Sequence, residues 1–321
     1  MAAAAPENER SMKSDQRDAP TGAADRPFRE VMLTGDFIER WKALLRQVYG
    51  YAFEGPFARV PQIAARPVLS YLPLLNYSDL PPERVPELVA RAGARPYQIR
   101  LLDPCYADFQ AGDTVTMRID LRKPSFDDVH AGIAKRTRRY LRDLESADFT
   151  LRTGGDARLA HDFSEVFREV MHRLGTPPFS EKLFRLLPEL LDARFYVMYR
   201  GNAAVAAAAV VHDEQLAWVP WSGTRNAFLE ERPGLPMYWA ALRDAYEAGR
   251  TAFDYGRSPY GAGTYEFKLR WGAAPVKIST VTSHTDDVYT KYGLASRVWK
   301  RLPQRVTDRV GPVLCRYLAD L

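Results

Sequence analysis

Two cysteines, Cys105 and Cys315, are all that the 321 residues contain, and they stand far apart in unrelated surroundings. That count excludes a disulfide framework and a cysteine-rich zinc site, and it makes a reducing compartment the expected home. Neither thiol has neighbours that would activate it. The five histidines are scattered, none paired with another at metal-ligand spacing, so no metal centre is expected. A G-x-S-x-G elbow for a serine nucleophile and a G-x-x-x-x-G-K-[ST] phosphate loop are both missing. No apolar run approaches the roughly 18–20 residues that span a bilayer. The opening MAAAAPENERSMKSDQRDAPTGAADRP lacks a basic region followed by an apolar one, so it does not read as a secretory signal, and a cytoplasmic protein is expected.

What is present is an ordinary globular composition, 46% hydrophobic and 26% charged, with ample material for a core. The net charge of +5 and pI near 9.1 suit an anionic partner such as phosphate, nucleic acid or a membrane surface. Non-specific RNA binding would rest on that charge alone.

Residues 1–27 hold almost no large apolar side chain and predict a disordered tail. DFIERWKALLRQVY, from Asp36, starts at a good N-cap and repeats apolar residues at helical spacing. ARPVLSYLPLLNYSDL reads as extended, PPERVPELVARAGA as a helix ending at Gly93, and YQIRLLD and TVTMRIDL as strands. SFDDVHAGIAKRTRRYLRDLESA, DARLAHDFSEVFREVMHRLG and FSEKLFRLLPELLDA predict amphipathic helices. The strands RFYVMYR, AAVAAAAVVHD and QLAWVPWSG follow, with Gly201-Asn202 suited to the first hairpin turn. LPMYWAALRDAYEAG is a helix stopping at Gly249; TAFDYG is a strand, followed by a short helix and the final strand APVKISTVT.

Two stretches carry chemistry. In the helix around Tyr140, Ile133, Thr137, Tyr140 and Leu144 share one side, while Lys135, Arg138, Arg139 and Arg142 gather on the other within about 100°. Those cations form either a face for the phosphate of a nucleotide, tRNA or lipid carrier, or a solvated face partly paired with Asp143 and Glu145. In FDYGRSPYGAGTYEFKLRWG, Gly256 suits an unusual turn, and Gly261 and Gly263 permit a ligand close to the backbone before a helix start, with Arg257 and Lys268 adding charge. The bland reading is a structural corner in which Phe267 and Trp271 pack a helix on the sheet. Asp254, inside an apolar strand, is either a base of raised pKa or a hydrogen-bonded structural carboxylate. His172 reads as a helix-face residue or a substrate contact.

SYLPLLNYSDL, KRTRRYLRDLE, VMHRLGTPPFS and FDYGRSPYGAGTYEFKLRWGA, in this order, resemble the FemAB-like group of the GNAT superfamily, in particular FemAB-related proteins of exosortase/PEP-CTERM and exopolysaccharide loci. The likeness runs from about residue 30 to 285, and the tail VWKRLPQRVTDRVGPVLCRYL is similar too. Tyr140 stands where the family usually has Asn, and Asp143 where it has a basic residue. The resemblance implies an α+β, tandem GNAT-like (acyl-CoA N-acyltransferase) fold with mixed, mostly antiparallel sheets flanked by helices. Its halves would span 28–125 and 126–285, followed by a basic amphipathic tail at 286–321. It implies an N-acyltransferase that moves an acyl or aminoacyl group to an amine of a cell-envelope, polysaccharide or small-metabolite acceptor. By match to the family's FK motif, Lys268 is the first catalytic candidate, a cation near the donor or the developing negative charge. Asp254 would hold Arg257 or accept a proton. Arg257, Tyr265, Gly261, Gly263, Ser258, Trp221 and His172 make up the substrate-binding set, and Lys135, Arg138, Arg139 and Arg142 the phosphate- or tRNA-binding one.

No tightly bound cofactor is implied; the acyl donor is a co-substrate. TRNAFLEERPGLPMYW, after QLAWVPWSG, lacks the Q/R-x-x-G-x-G/A turn that binds pyrophosphate in acetyl-CoA-dependent relatives. That favours aminoacyl-tRNA as donor, with acyl-CoA as the alternative. The competing class is a catalytically inactive GNAT-like scaffold binding polysaccharide or a membrane surface in an export system. For it, Arg297, Lys300, Arg301, Arg305 and Arg309 beside Trp299 and Leu302 would make peripheral membrane contact. Against it, Pro303 and Pro312 interrupt a continuous helix and suit a helix pair packed on the domain. The enzyme reading expects Lys268→Ala to abolish turnover and leave the melting temperature nearly unchanged.

Overall fold

The computed structural model describes residues 33–62, 65–75, 80, 82–102, 109–144, 147–283 and 295–318. The expected tail at 1–27, Cys105, Glu145 and the 76–79 part of SYLPLLNYSDL lie outside them. α1 (Gly35–Tyr49) leads into β1 (Ala52–Glu54), β2 (Phe57–Gln62) and β3 (Ala65–Tyr71), then α2 (Val85–Ala92), β4 (Tyr97–Leu102) and β5 (Thr114–Asp120). Next come α3 (Phe126–Gly132), α4 (Lys135–Leu144), β6 (Thr150–Gly154), α5 (Ala157–Leu174) and α6 (Glu181–Leu190). The meander β7 (Asp192–Arg200), β8 (Ala203–His212) and β9 (Leu216–Thr224) precedes α7 (Gly234–Glu247) and β10 (Ala252–Pro259). α8 (Gly263–Leu269), β11 (Ala274–Thr282) and α9 (Gln304–Cys315) complete the order.

The strands make one 11-stranded sheet, ordered β1-β2-β3-β4-β11-β5-β10-β9-β8-β7-β6. Only β3–β4 and β9–β10 run parallel; the other neighbours are antiparallel. This is an α+β architecture with a mixed, mostly antiparallel sheet, as the resemblance implies. β5 sits between β11 and β10, so the sheet continues across the boundary placed near residue 125.

Helices cover both faces, and the alternation of side chains along each strand sorts the core into two layers. On one side Trp41 of α1, Phe163 of α5, Phe184 of α6 and Cys315 of α9 pack with Trp218 and Trp221 of β9. On the other, Val129 of α3, Leu141 of α4, Met237 of α7 and Tyr265 of α8 pack with Phe253 and Tyr255 of β10. β8, AAVAAAAVVH, is buried along nearly its whole length; its small alanines let both helix layers approach the sheet closely.

The stretch expected as one helix from Ser125 divides into α3 and α4. Ile133 takes extended angles, φ −73° and ψ 136°, and the Ala134 N–H donates to the Arg270 carbonyl instead of to its own helix. A Cβ on Gly272 would lie 2.8 Å from the Gly132 carbonyl oxygen. Close approach of the segment after α8 therefore breaks the helix, a tertiary cause that local periodicity does not carry.

The C-terminal segment is docked on the first layer. The Tyr51 hydroxyl donates to the Arg316 carbonyl at 2.9 Å, and Cys315 Sγ lies 3.3 Å from the Pro178 carbonyl. Gly311 leaves no room for a side chain, since its Cβ would meet Pro178 Cδ at 2.4 Å. Gly311→Ala is expected to cost about 1–3 kcal/mol by overpacking and to lower the midpoint of thermal unfolding followed by circular dichroism. An unchanged midpoint would contradict the docking of α9 at Pro178.

Candidate active site

β10, AFDYGRSP, is regular as far as Asp254 and then changes register. Its pairing with β5 steps from Asp254↔Arg118 to Arg257↔Thr116, so Tyr255 and Gly256 face Met117 alone. That is a β-bulge, and bulges re-aim the side chains that follow. Gly256 sits at φ +76°, and a Cβ there would stand 2.7 Å from the Val219 carbonyl oxygen; no other residue fits both constraints.

Two buried charges fasten the bulge. Asp254 is 0% exposed. Its Oδ1 accepts from Thr116 Oγ1 at 2.5 Å and from the Gly256 N–H at 2.7 Å, and its Oδ2 accepts from Arg118 Nε at 2.8 Å. Lys268, reaching back from α8, is 8% exposed. Its ammonium donates to the Gly256 carbonyl, the Arg257 carbonyl and Ser258 Oγ, each at 2.9 Å, which uses all three donors of a lysine. Burial pulls its pKa from the ordinary 10.5 down to about 8; the charge of Asp254 opposes that shift and Arg257 adds to it.

The parallel ladder between β9 and β10 is short. It joins Ala252 to Leu216, Phe253 to Ala217 and Asp254 to Trp218. No further pair joins these strands among the described residues, although β9 runs on to Thr224 and β10 to Pro259. Over this place, on the α7–α8 side, stand Tyr238, Tyr255, Phe267 and Trp271. Their ring centroids lie 5.4 Å apart for Tyr238–Tyr255, 5.6 Å for Tyr238–Phe267 and 5.9 Å for Tyr255–Trp271. Ser222 Oγ and the Tyr238 hydroxyl are 2.6 Å apart. The buried Tyr255 hydroxyl has no hydrogen-bond partner among the described residues. Burial raises the pKa of both phenols, so each is a neutral donor near pH 7.

α7 starts at the end of β9: a Cβ on Gly234 would be 3.3 Å from Thr224 Oγ1. The helix has no side-chain N-cap, and the residue two before it, Arg232, holds φ +56°, a strained value for a side-chain-bearing residue. Its guanidinium lies 4.0 Å from the Tyr140 ring centroid. Arg136 lies 5.5 Å from the same ring and donates from Nε to the Tyr140 hydroxyl at 3.0 Å. Hydrogen bonds from Arg136 and then Arg232 lower the Tyr140 pKa. Glu231 is taken by Arg200, and neither Arg136 nor Arg232 has an acidic partner among the described residues. Nothing in the sequence reading pointed to Arg136, Arg232, Ser222, Tyr238 or Tyr255. Tyr140 alone left a trace, as a departure from the family pattern.

The expected site residues fall into two groups. Asp254, Gly256, Arg257, Ser258, Tyr265 and Lys268 come together around the bulge. Tyr265 is buried with its pKa raised to about 12, chiefly by burial, and its ring lies 4.9 Å from that of Tyr260. A Cβ on Gly261 or Gly263 would meet nothing within 4 Å, so the glycine corner is open on its outer side. Lys135, Arg139 and Arg142 are exposed along α4 and Arg138 is half-buried; Arg139 pairs with Asp143 at 3.8 Å. Trp221 and His172 are corrections, because both belong to the opposite layer. Trp221 packs on Phe179, Phe184 and Trp41 at 5.4–6.4 Å, and His172 Nε2 sits 2.9 Å from the Leu302 carbonyl. Alternation along β9 directs Trp221 away from the face that carries Ser222. Asp254 is likewise a hydrogen-bonded carboxylate with three donors on it, closed to solvent.

Residues 131–269 match the family described as acetyltransferase (GNAT) domain, a stretch that holds the bulge, the β9–β10 ladder and the Arg232–Tyr140 contact. No curated protein matches the chain by sequence. The fold matches the crystal structure of FemX at a TM-score of 0.56 and 13% identity, covering 82% of this chain and 94% of that one. It also matches the C-terminal domain of a proposed lysylphosphatidylglycerol synthetase from Agrobacterium fabrum, at 0.53 and 12% over 81% and 94% of the two chains. A conserved protein of unknown function from Bacteroides thetaiotaomicron gives 0.50 and 10% over 77% and 89%. Residues 131–269 are therefore similar to a GNAT domain, set in a larger sheet. In fold it is FemAB-like.

The buried ammonium has a measurable consequence. Because the Lys268 pKa is lower in the folded protein than the ordinary 10.5, the unfolded chain binds more protons between about pH 8 and 10.5. This group alone therefore makes stability rise with pH across that window. Urea unfolding of wild type and Lys268→Met at pH 8 and pH 10 is expected to show the rise in wild type only; equal pH dependence in both would contradict the burial. The three lost hydrogen bonds also predict a lower melting temperature for Lys268→Ala, unlike the expectation from sequence.

Proposed function

We propose that the protein transfers an acyl or aminoacyl group to an amine acceptor of a cell-envelope, polysaccharide or small-metabolite substrate, with the reacting carbonyl at the end of the β9–β10 ladder. The observation that carries this reading is the buried, unpartnered Tyr255 hydroxyl directly before the Gly256 bulge. In the reaction the acceptor nitrogen bonds to the carbonyl carbon, and the carbon–oxygen or carbon–sulfur bond of the donor breaks. The leaving alkoxide or thiolate departs with the proton that the nitrogen gives up. Negative charge gathers on the carbonyl oxygen in between, and a neutral phenol held in a water-poor site is suited to receive it.

Lys268 enters as a positioning group. With each N–H committed to the bulge it holds Gly256 in place, and its charge lies behind the carbonyl. The donor's phosphate is assigned to the start of α7, where Arg232 and Arg136 flank Tyr140, with Lys135, Arg138, Arg139 and Arg142 extending the cationic surface along α4. The stacked ring and two guanidinium groups suit a nucleotide, and the pyrophosphate turn of acetyl-CoA enzymes is missing from 224–239. Both support aminoacyl-tRNA ahead of acyl-CoA. A second reading, a scaffold without turnover, is favoured by one observation: the two ionisable groups nearest the bulge, Asp254 and Lys268, are fully engaged in hydrogen bonds.

Donor binding separates these without a known acceptor. Aminoacyl-tRNA in hundredfold excess over its Kd is expected to raise the melting temperature by about 5 °C, and Arg232→Ala to weaken that binding about tenfold. Tyr255→Phe is expected to leave binding intact and to slow transfer about 10²-fold once an acceptor is supplied. If neither aminoacyl-tRNA nor acyl-CoA shifts the melting temperature, the scaffold reading replaces the enzyme.

A further inference from the structure

α9 has a surface that its docking on the domain does not use. Thr307, Gly311 and Cys315 turn inward and are buried. At 100° per residue the outward positions fall into two adjoining bands, Arg305, Arg309 and Arg316 within about 40° and Val306, Val310 and Val313 within about the next 60°. The valines are 43%, 43% and 61% exposed. Branched apolar residues at i, i+4 and i+7 on the solvent side bring nothing to a helix held only by its inner face. Val298, in the helical turn before α9, is 52% exposed as well.

The charge on this surface has one sign. Arg297, Lys300 and Arg301 precede the helix and are exposed, as are Arg305 and Arg309 within it and Arg316 at its C-cap. Asp308, the one acid in 295–318, is half-buried. It feels Arg168, Glu165 and His172 on the inner side, and burial raises its pKa. Among the described residues no carboxylate pairs with Arg305, Arg309 or Arg316. The apolar contacts expected from sequence differ from those found: Trp299 is buried at 8% exposure and Leu302 is half-buried, so neither is available outside.

We propose that the outer face of α9 docks on an anionic lipid bilayer, with the valine band at the headgroup–acyl boundary and the arginine band on lipid phosphates. Two straight bands side by side along a helix fit a planar surface that is itself charged outside and apolar just beneath. Three valines are a small apolar payload, so binding is led by charge, reversible and sensitive to salt. This does not depend on the acyl-transfer reading.

The test is sedimentation of the full chain with vesicles of phosphatidylcholine containing phosphatidylglycerol, against pure phosphatidylcholine. Binding is expected to the anionic vesicles only. Arg305→Glu with Arg309→Glu, and separately Val306→Ser with Val310→Ser, should each weaken it about tenfold or more. All four positions are exposed, and unchanged circular dichroism melts verify that the fold is intact. Wild type that stays in solution with anionic vesicles at low salt overturns the proposal, as do variants that bind like wild type. Polyglutamate binding equal to vesicle binding and indifferent to the valine changes also overturns it, in favour of an acidic macromolecule.

Discussion

The Lys268 ammonium holds three acceptors that β10 would otherwise leave short of partners, two carbonyls and a hydroxyl, at the point where the strand departs from regular pairing. A bulge exposes backbone groups that the ladder no longer satisfies, and buried unpaired groups are costly. Asp254 meets the matching demand from the other side by taking the Gly256 N–H. The two charges never touch the same atoms: Asp254 is compensated by the buried Arg118 at 2.8 Å, and Lys268 by its three acceptors, with the charge of Asp254 favouring its protonated form. Gly256, closed against Val219, sits between them.

From this constraint the rest of the site follows. The bulge ends the register that β10 shares with β9, and past it both strands proceed with other neighbours. α7 and α8 pack over the same side, bringing Tyr238, Phe267 and Trp271 around Tyr255. The start of α7 then fixes Arg232 over Tyr140, which ties the cationic helix α4 to the same layer. Trp221 and His172 serve the other layer, one in its aromatic core and the other against the C-terminal segment. The two layers differ: the candidate site lies on the α4–α7–α8 side, and the tail is anchored on the α1–α5–α6 side.

Much of the element order was legible in the sequence, because local signals were strong there. The meander β7–β8–β9, the turn at Gly201-Asn202, the amphipathic helix α5, and the strand character of β4, β5, β10 and β11 all follow from periodicity and turn residues. The short edge strands β1 and β6 went unread, being brief, and so did β2 beside β1, which lacks clear alternation. The split between α3 and α4 was illegible because its cause, Gly272 and Arg270, lies more than a hundred residues away. Within the candidate site, the cluster FDYGRSPYGAGTYEFKLRWG marked the stretch that carries the bulge and Lys268. The inward turn of Lys268 did not show, since its acceptors are two backbone carbonyls and the Ser258 hydroxyl, ten to twelve residues upstream. Thr116 and Arg118, which satisfy Asp254, come from a strand 136–138 residues distant, and no local pattern encodes that pairing.

Hydrogen–deuterium exchange, read peptide by peptide with and without a non-reactive amide analogue of aminoacyl-tRNA, bears most directly on the claim that the acyl group lies over the bulge. Slowed exchange is predicted in peptides covering 219–224, 232–238 and 253–259, with the α5–α6 layer unaffected. Protection confined to α5 and α6, or tight binding of the analogue with exchange at the bulge unchanged, would contradict it.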